Sequence, residues 1–309
     1  MVITSAPGKV ILFGEHAVVY GEPALAGAIE RRVYVEMEES RRNGLTISSE
    51  GVEDGDEYAL RYLRKAVEVA LVDLGADRDR GLEVRVASHI TTASGLGSSA
   101  AVSVATILAV SRLLDAELSG EALAGLGHQV ELQVQGAASP TDTLTSALGG
   151  VLYIEPGKGY KRIAVSIPLV VGCTGDPRAT KEMVRGVRDL RDRYPGIVGP
   201  IIKSIGEVTR EAKVCLEERR DIGELMNINH GLLEALGVGT KGLSHLVHAA
   251  RVAGASGAKI TGAGGGGSMI AYAPREVERV VRAIEGLGCT AFQVSIAVEG
   301  ARVEKKGLL

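Results

Sequence analysis

The chain of 309 residues contains no tryptophan, and aromatic residues make up only 3% of it. So few aromatics argue against a surface that stacks the bases of single-stranded nucleic acid. The net charge of −3 gives no reason to expect a polyanionic partner. Cysteine is also scarce, and no pair has a Cys-x-x-Cys spacing, which favours buried reduced thiols over disulfides or a metal site. The three dispersed cysteines are Cys173, Cys215 and Cys289.

A targeting segment and a long apolar run are missing as well. The N-terminal residues lack the basic stretch and long apolar region of a signal peptide. The longest apolar helical segment, Ala100–Leu114, is too short and too rich in hydroxyls to span a bilayer. We therefore expect a cytoplasmic, soluble protein with no nucleic-acid partner and no membrane partner. The length of 309 residues is enough for two domains, and a hydrophobic content of 45% supports a sizeable core.

The predicted secondary structure mixes strands and helices in an irregular order. This irregularity favours an α+β fold over a regular doubly wound sheet. The pattern changes near residues 160–167, which predicts one domain over residues 1–165 and a second over 166–309. The expected N-terminal elements are strands at Lys9–Phe13, Ala24–Ile29, Arg32–Glu38 and Leu82–Val86, and helices at Gly55–Leu74, from Ser98 and from Ser119.

A glycine-rich turn, residues 91–101, leads directly into the apolar helix. Its small residues let backbone N–H groups converge on an anion, and the helix N-terminus adds positive potential at the same place. A phosphate-binding loop is therefore predicted, in which two serine hydroxyls can reach a phosphate-bound Mg²⁺. An ordinary helix start capped by one of these serines is the alternative. The predicted loop comprises Gly95, Leu96, Gly97, Ser98, Ser99 and Ala100.

The sequence of this turn excludes one class of nucleotide-binding protein and is compatible with another. No Gly-Lys-[Ser/Thr] triplet occurs in the chain, which excludes a Walker A loop. The run from Gly95 to Ala100 does match the dinucleotide fingerprint, and Asp115 lies near the position expected of a ribose-binding acid. A dinucleotide-dependent oxidoreductase is therefore a competing interpretation of this turn taken alone.

Two other segments hold unusual polar or glycine residues. Residues 6–21 place Lys9, Glu15 and His16 around an apolar strand, although a solvated strand edge also explains a lysine there. Lys259–Ser268 is a second glycine turn with four consecutive glycines. A strand-like segment follows it, so it lacks the helix terminus that a dinucleotide site needs. Because consecutive glycines lose much entropy on folding, close approach to a ligand explains them better than packing alone.

Taken together, the three segments resemble the ordered motifs of the GHMP small-molecule kinases, and the resemblance covers nearly the whole chain. Residues 6–21 are similar to the first motif of that family, residues 91–101 to the second and residues 259–268 to the third. Three motifs in family order are more specific than one glycine match, which displaces the oxidoreductase interpretation. The family usually has proline where Thr91 stands and often glycine where Ala93 stands, so we expect altered loop rigidity upstream of the phosphate-binding core. The resemblance implies the family's two-domain fold with the active site in the interdomain cleft, ATP as co-substrate, Mg²⁺ as cofactor and a homodimer.

The resemblance also implies roles for individual residues. Asp142 would orient the substrate alcohol and accept its proton, and Lys9 would lie beside it and counter the charge of the transferring phosphoryl group. Ser99 and Glu131 would bind Mg²⁺. Judged without the resemblance, Asp142 is most simply a helix N-cap, and Glu131 a residue on a solvated helix face. The glycines expected near the phosphates in the third motif are Gly262, Gly264 and Gly265.

Within the family, the first segment and residues 179–184 are most similar to the members that phosphorylate mevalonate. The resemblance thus implies mevalonate and ATP as substrates, with Glu15, His16 and Thr180 on the substrate side. Phosphorylation of phosphomevalonate or homoserine is an alternative within the family. A non-catalytic relative that binds a nucleotide or metabolite is another, but such relatives usually lose part of the catalytic set, which is complete here.

Overall fold

The structure is a computed structural model that describes residues 1–49, 57–91, 94–136, 138–176 and 180–305. A 3₁₀ turn, Ala17–Tyr20, follows the first strand. The strands are β1 Val2–Phe13, β2 Ala24–Glu39, β3 Leu45–Ser49, β4 Leu82–Ser88, β5 Val151–Glu155, β6 Gly159–Ile163, β7 Leu169–Cys173, β8 Gly257–Ile260, β9 Ser268–Tyr272, β10 Thr290–Val294 and β11 Arg302–Val303. The helices are α1 Glu57–Asp73, α2 Ser98–Leu113, α3 Gly120–Gln135, α4 Thr141–Leu148, α5 Thr180–Arg193, α6 Pro195–Glu217, α7 Gly223–Ala235, α8 Lys241–Val252 and α9 Val277–Glu285.

The first sheet has seven strands in the order β11-β1-β2-β4-β3, and β5 and β6 extend it from β2. All of its pairings are antiparallel except that of β3 with β4. Helix α2 packs on β1 and β2, and α1 and α3 pack on α2. The middle of α2 is buried on all sides, which explains why its sequence is apolar almost throughout.

Strand β2 corrects the expectation of two separate strands at Ala24–Ile29 and Arg32–Glu38. It runs unbroken because β1 pairs with it on both sides of this point, from Leu25 to Met37. The register shifts where Pro7 pairs with Arg32 and Gly8 with Ile29, so two extra residues of β2 form a bulge there. The two residues between the expected strands therefore form the bulge of one long strand.

The second sheet is antiparallel, with the order β10-β7-β9-β8. Helices α7 and α8 pack on β8, and α9 packs on β7 and β10. All four residues of β8 and all five of β7 are buried, because helices and neighbouring elements surround this sheet. The fold is thus α+β, as expected, with two sheets that each carry their own helices.

Other expectations for individual elements have mixed outcomes. The helix starts at Ser98 and after Ser119 are confirmed, and the Ser119 hydroxyl accepts a hydrogen bond from the backbone N–H of Ala122. Strand β3 was not predicted, and the expected start of α1 at Gly55 lies outside the described residues.

The three cysteines are free thiols, and no helix within the described ranges is long and apolar enough to cross a membrane. The division into domains at residues 1–165 and 166–309 stays a prediction.

Candidate active site

Lys9 lies within β1 and its side chain is almost completely buried, with 5% exposed, so the alternative of a solvated strand edge is wrong. The Lys9 backbone N–H donates to the carbonyl oxygen of Leu96 at 2.8 Å. Its ammonium Nζ donates to the carbonyl oxygen of Gly95 at 3.1 Å. Both bonds join the first sequence motif to the glycine turn of the second, and they direct the buried cation toward the predicted phosphate-binding loop.

Asp142 lies in the first turn of α4 and pairs with this lysine. Its Oδ2 is 3.0 Å from Nζ of Lys9, and its side chain keeps 30% of its surface exposed. The helix N-cap is Pro140, so the alternative that Asp142 caps the helix is wrong. The pair therefore joins a buried cation to a carboxylate that a ligand can still reach.

The glycine turn begins α2 without help from a serine cap. The N-cap is Gly97, in the left-handed region at φ 79°, and no side chain in the described part of the chain caps the first N–H groups of this helix. Capping by Ser98 or Ser99 is therefore wrong. A Cβ at position 97 would lie 2.8 Å from Cγ of Lys9, so this glycine leaves room for the lysine side chain. The first backbone N–H groups of α2 thus stay available to an anion.

Ser99 and Glu131 meet next to the Lys9–Asp142 pair. The Ser99 hydroxyl donates to Oε1 of Glu131 at 3.2 Å. Glu131 is only 4% exposed, so the alternative of a solvated helix face is wrong. Burial, and secondarily the charge of Asp142, raises the pKa of Glu131 to about 8, against the opposing effects of Lys9 and the Ser99 hydrogen bond. The buried carboxylate is thus poorly compensated, which is the environment that a divalent cation would relieve.

The glycine loop of the third motif, Gly262–Gly267, is called the third loop. Both of its ends lie against the glycine turn of the second motif. A Cβ on Gly262 would lie 3.8 Å from the carbonyl oxygen of Gly95, and one on Gly267 would lie 3.3 Å from that of Ser94. The middle of the loop packs elsewhere. There Gly264 contacts Val238 and Gly265 contacts Met183. Of the three glycines predicted near the phosphates, Gly262 is the one that the structure places beside the glycine turn of the second motif.

Glu15 and His16 follow β1 but face different surroundings. Both carboxylate oxygens of Glu15 are engaged, Oε1 by the ammonium of Lys259 and Oε2 by the Asn229 amide at 3.1 Å. Burial raises the pKa of Glu15 and lowers that of Lys259, and their mutual attraction opposes both shifts. His16 holds a positive φ of 60° and places Nε2 2.9 Å from the carbonyl oxygen of Ala263. Its Nδ1 has no hydrogen-bond partner within the described residues, and burial lowers its pKa.

Thr180 is the first residue of α5, but its side chain, like residues 177–179, lies outside the described residues. The same holds for Ala93 in the second motif. Sequence reasoning assigned no role to four buried polar residues near the site. They are Asn229, Lys259, Thr261 and Ser268. Two of them flank the third glycine loop, and polar residues at the ends of apolar strands were the available signal.

The three motifs thus converge on one place. A buried ammonium, a reachable carboxylate and a helix N-terminus free of side-chain caps lie together, with a hydroxyl and a second carboxylate beside them. Such a set can bind a polyphosphate, neutralise negative charge on it and take a proton from an incoming alcohol.

Comparison with known proteins agrees with this geometry. Residues 59–150 match the family model described as GHMP kinases N terminal domain, and residues 211–297 match GHMP kinases C terminal. A mevalonate kinase of Pyrococcus abyssi is 46% identical, with 99% of this chain and 98% of the relative covered. One of Thermococcus gammatolerans is 48% identical, with 98% of each covered. The crystal structure of L. major mevalonate kinase in complex with R-mevalonate superimposes with a TM-score of 0.86 at 26% identity, covering 95% of each chain. The chain belongs to the GHMP kinase family.

Proposed function

We propose that this protein is a mevalonate kinase, which transfers the γ-phosphoryl group of ATP to the primary alcohol of mevalonate and yields 5-phosphomevalonate and ADP. The observation that carries the proposal is the ion pair between Lys9 and Asp142, 3.0 Å apart, with the same ammonium on the carbonyl of Gly95. The choice of mevalonate rests on curated relatives of that name at 46% and 48% identity over nearly the full length.

In this mechanism Asp142 accepts the proton of the alcohol. The alcohol oxygen forms a bond to the γ-phosphorus while the bond from that phosphorus to the bridging oxygen of ADP breaks, and the proton passes to the Asp142 carboxylate. Because the side chain is 30% exposed, an alcohol can approach it, and the proton can later leave to solvent. Lys9 holds the carboxylate in place and offsets negative charge on the transferring group.

ATP binding is assigned to the second motif. The N-terminal N–H groups of α2 and the turn at Gly95 and Gly97 would hold the phosphates, because the helix dipole and the unpaired N–H groups both favour an anion. Gly262 of the third loop lies beside Gly95, so the two loops would contact the nucleotide from adjacent positions.

The residues present fit Mg²⁺. Ser99 and Glu131 supply hard oxygen ligands, and the buried Glu131 carboxylate gains most from a neighbouring cation. No group of three His, Cys, Asp or Glu side chains suited to a metal occurs among the described residues, which accords with an ion held mainly by nucleotide phosphates. When bound, Mg²⁺ neutralises phosphate charge, and Ser99 and Glu131 would fix its position.

On the substrate side, we assign His16 and Thr180 to contacts with mevalonate. Glu15 has both oxygens engaged within the protein, so its contribution is to hold the turn that carries His16. Homodimer assembly and a cytoplasmic location are proposed from the family resemblance, and light scattering tests the first.

The decisive experiment measures ADP release with ATP and one of four candidate phosphoryl acceptors: mevalonate, phosphomevalonate, homoserine and galactose. We expect saturable turnover with mevalonate and at most a small fraction of that rate with the others. Activity confined to homoserine or a sugar would refute the substrate. Tight ATP binding with no turnover of any of the four acceptors would instead support a non-catalytic nucleotide-binding relative.

A further inference from the structure

Two buried hydroxyl residues flank the third glycine loop, one at each end. Thr261 precedes the loop and Ser268 follows it, with 4% and 1% of their surfaces exposed. The glycines between them have no side chains with which to hold neighbouring segments. Contacts that fix this loop against the rest of the site must therefore come from its backbone or from these two ends.

Thr261 binds β1 through its side chain. Its Oγ1 accepts a hydrogen bond from the backbone N–H of Ile11 at 2.9 Å and donates one to the carbonyl oxygen of the same residue at 3.0 Å. One hydroxyl thus satisfies both backbone groups of Ile11 on the side facing away from β2. Ile11 lies two residues beyond Lys9, so the bond holds the strand that carries the catalytic cation.

Ser268 binds the second motif. Its hydroxyl donates to the carbonyl oxygen of Ser94 at 2.7 Å, at the start of the glycine turn. Cys173 Sγ lies 3.2 Å from the same hydroxyl. Because the serine proton is used on Ser94, the thiol is the donor in that second bond. The serine oxygen is therefore held on both sides and points in a fixed direction.

Each bond crosses between segments that are remote in sequence but adjacent in the site. The glycine turn and β1 are also tied directly, through the backbone N–H and the ammonium of Lys9. Strand β1, the glycine turn and the third loop thus form a closed triangle of hydrogen bonds. The triangle fixes the distance between the lysine and the turn that would bind phosphate.

The geometry points to Thr261 and Ser268 as positioning residues of phosphoryl transfer, a role that rests on the proposed kinase function. Ser268 sets the carbonyl of Ser94 and hence the turn that receives the nucleotide phosphates. Thr261 sets Ile11 and hence the position of Lys9 relative to Asp142. Neither hydroxyl needs to touch a substrate to have these effects.

The test compares Ser268→Ala and Thr261→Val with two control variants, Ser111→Ala and Thr209→Val. The control hydroxyls are also buried, and they donate at 2.9 Å and 2.8 Å to carbonyls of their own helices, Leu108 and Ile205. The controls therefore report the removal of a buried hydroxyl that donates one hydrogen bond within its own helix. Thermal melts of all four variants measure how much stability each one loses.

Calorimetric binding of a non-hydrolysable ATP analogue with Mg²⁺ gives the first measurement. We expect Ser268→Ala to weaken nucleotide affinity by about threefold to tenfold, the usual effect of one lost hydrogen bond. Ser111→Ala should leave the affinity unchanged. This measurement needs no alcohol, so a wild-type protein that binds the nucleotide but fails to phosphorylate mevalonate refutes the proposed substrate and leaves the role of Ser268 testable.

Steady-state kinetics give the second measurement. We expect Thr261→Val to lower kcat by about threefold to tenfold with little change in the KM for ATP, because it displaces Lys9 and leaves the turn in place. Thr261→Ser keeps the hydroxyl and should restore kcat. Nucleotide affinity and kcat that change in neither variant, or that change equally in the matched controls, would overturn the proposal, as would failure of Thr261→Ser to recover activity.

Discussion

Replacing Asp142 with asparagine tests the proposed roles of Lys9 and Asp142. The substitution keeps the size of the side chain and its ability to hydrogen-bond, but it removes the charge and the proton acceptor. Oδ2 of Asp142 lies 3.0 Å from the Lys9 ammonium, and 5% of the lysine side chain is exposed against 30% of the aspartate. The variant therefore leaves a buried cation without its counter-ion.

The structural cost of this change should be modest. Lys9 keeps its hydrogen bond to the Gly95 carbonyl, and water can reach the exposed part of position 142. Leaving a buried donor unsatisfied costs about 1–3 kcal/mol of folding free energy and more when it is charged, but the asparagine oxygen still accepts a hydrogen bond from the ammonium. Loss of general-base catalysis, by contrast, lowers turnover by about 10²–10⁴-fold. The two effects differ enough to be separated.

The assay measures kcat and both KM values for Asp142→Asn, with unfolding followed in denaturant. We expect kcat to fall by about 10²–10⁴-fold while the KM for ATP changes little. Glu278→Gln is the matched control, since Glu278 is an exposed acidic residue in the first turn of α9, as Asp142 is in that of α4. Its removal reports the loss of a helix-dipole interaction alone and should leave kcat unchanged.

Near-normal turnover in Asp142→Asn would refute the assignment of this residue as the base. The aspartate would then only align the alcohol. The reaction would depend on positioning and electrostatics, which a loose phosphoryl-transfer transition state permits.

Three further predictions follow from single residues. Gly97→Ala should lower kcat more than tenfold, because its Cβ would lie 2.8 Å from Lys9 Cγ. Gly75→Ala is the control, since Gly75 also has a positive φ but no described heavy atom lies within 4 Å of its added Cβ. It should cost about 1–2 kcal/mol of stability and leave the activity unchanged. Glu131→Gln should raise the Mg²⁺ concentration for half-maximal rate by at least about tenfold, measured at saturating ATP; an unchanged requirement would contradict its role as a ligand. Burial lowers the pKa of His230 from its ordinary 6.5 to about 4, against the opposing effect of Glu234, so unfolded chains bind the proton more readily. Stability should therefore fall as pH drops from about 6.5 toward 4, and His230→Gln should flatten this slope in urea titrations.

Local sequence signals predicted much of the fold. The serine cap of α3 and the glycine start of α2 each depend on residues within a few positions, so their helices begin where expected. The long strand β2 was divided wrongly because its bulge depends on pairing with Pro7 and Gly8 of β1. A bulge is a property of two strands, and one strand's sequence does not show it.

Some parts of the candidate site could be predicted from the sequence and others could not. The residues of the glycine turn by themselves predict anion binding. The pairing of Lys9 with Asp142 was predicted only from the family resemblance, because the spacing of the two residues in the sequence does not indicate that they are in contact. The bonds from Thr261 to Ile11 and from Ser268 to Ser94 had no sequence signal beyond a polar residue at each end of a glycine run. A hydroxyl that reaches a remote backbone carbonyl is visible only once the chain is folded.

The polar residues of the first motif are bound to four different parts of the protein. Lys9 binds the glycine turn and Asp142, Glu15 binds Lys259, and His16 contacts the carbonyl of Ala263 in the third loop. The Glu15–Lys259 pair is buried, so removing either partner leaves an uncompensated charge at a cost of about 3–5 kcal/mol. That dependence gives the acidic residue between Lys9 and His16 a structural role that needs no contact with a substrate. It anchors the turn after β1 to β8, and the positive φ of His16 then directs the imidazole toward the third loop.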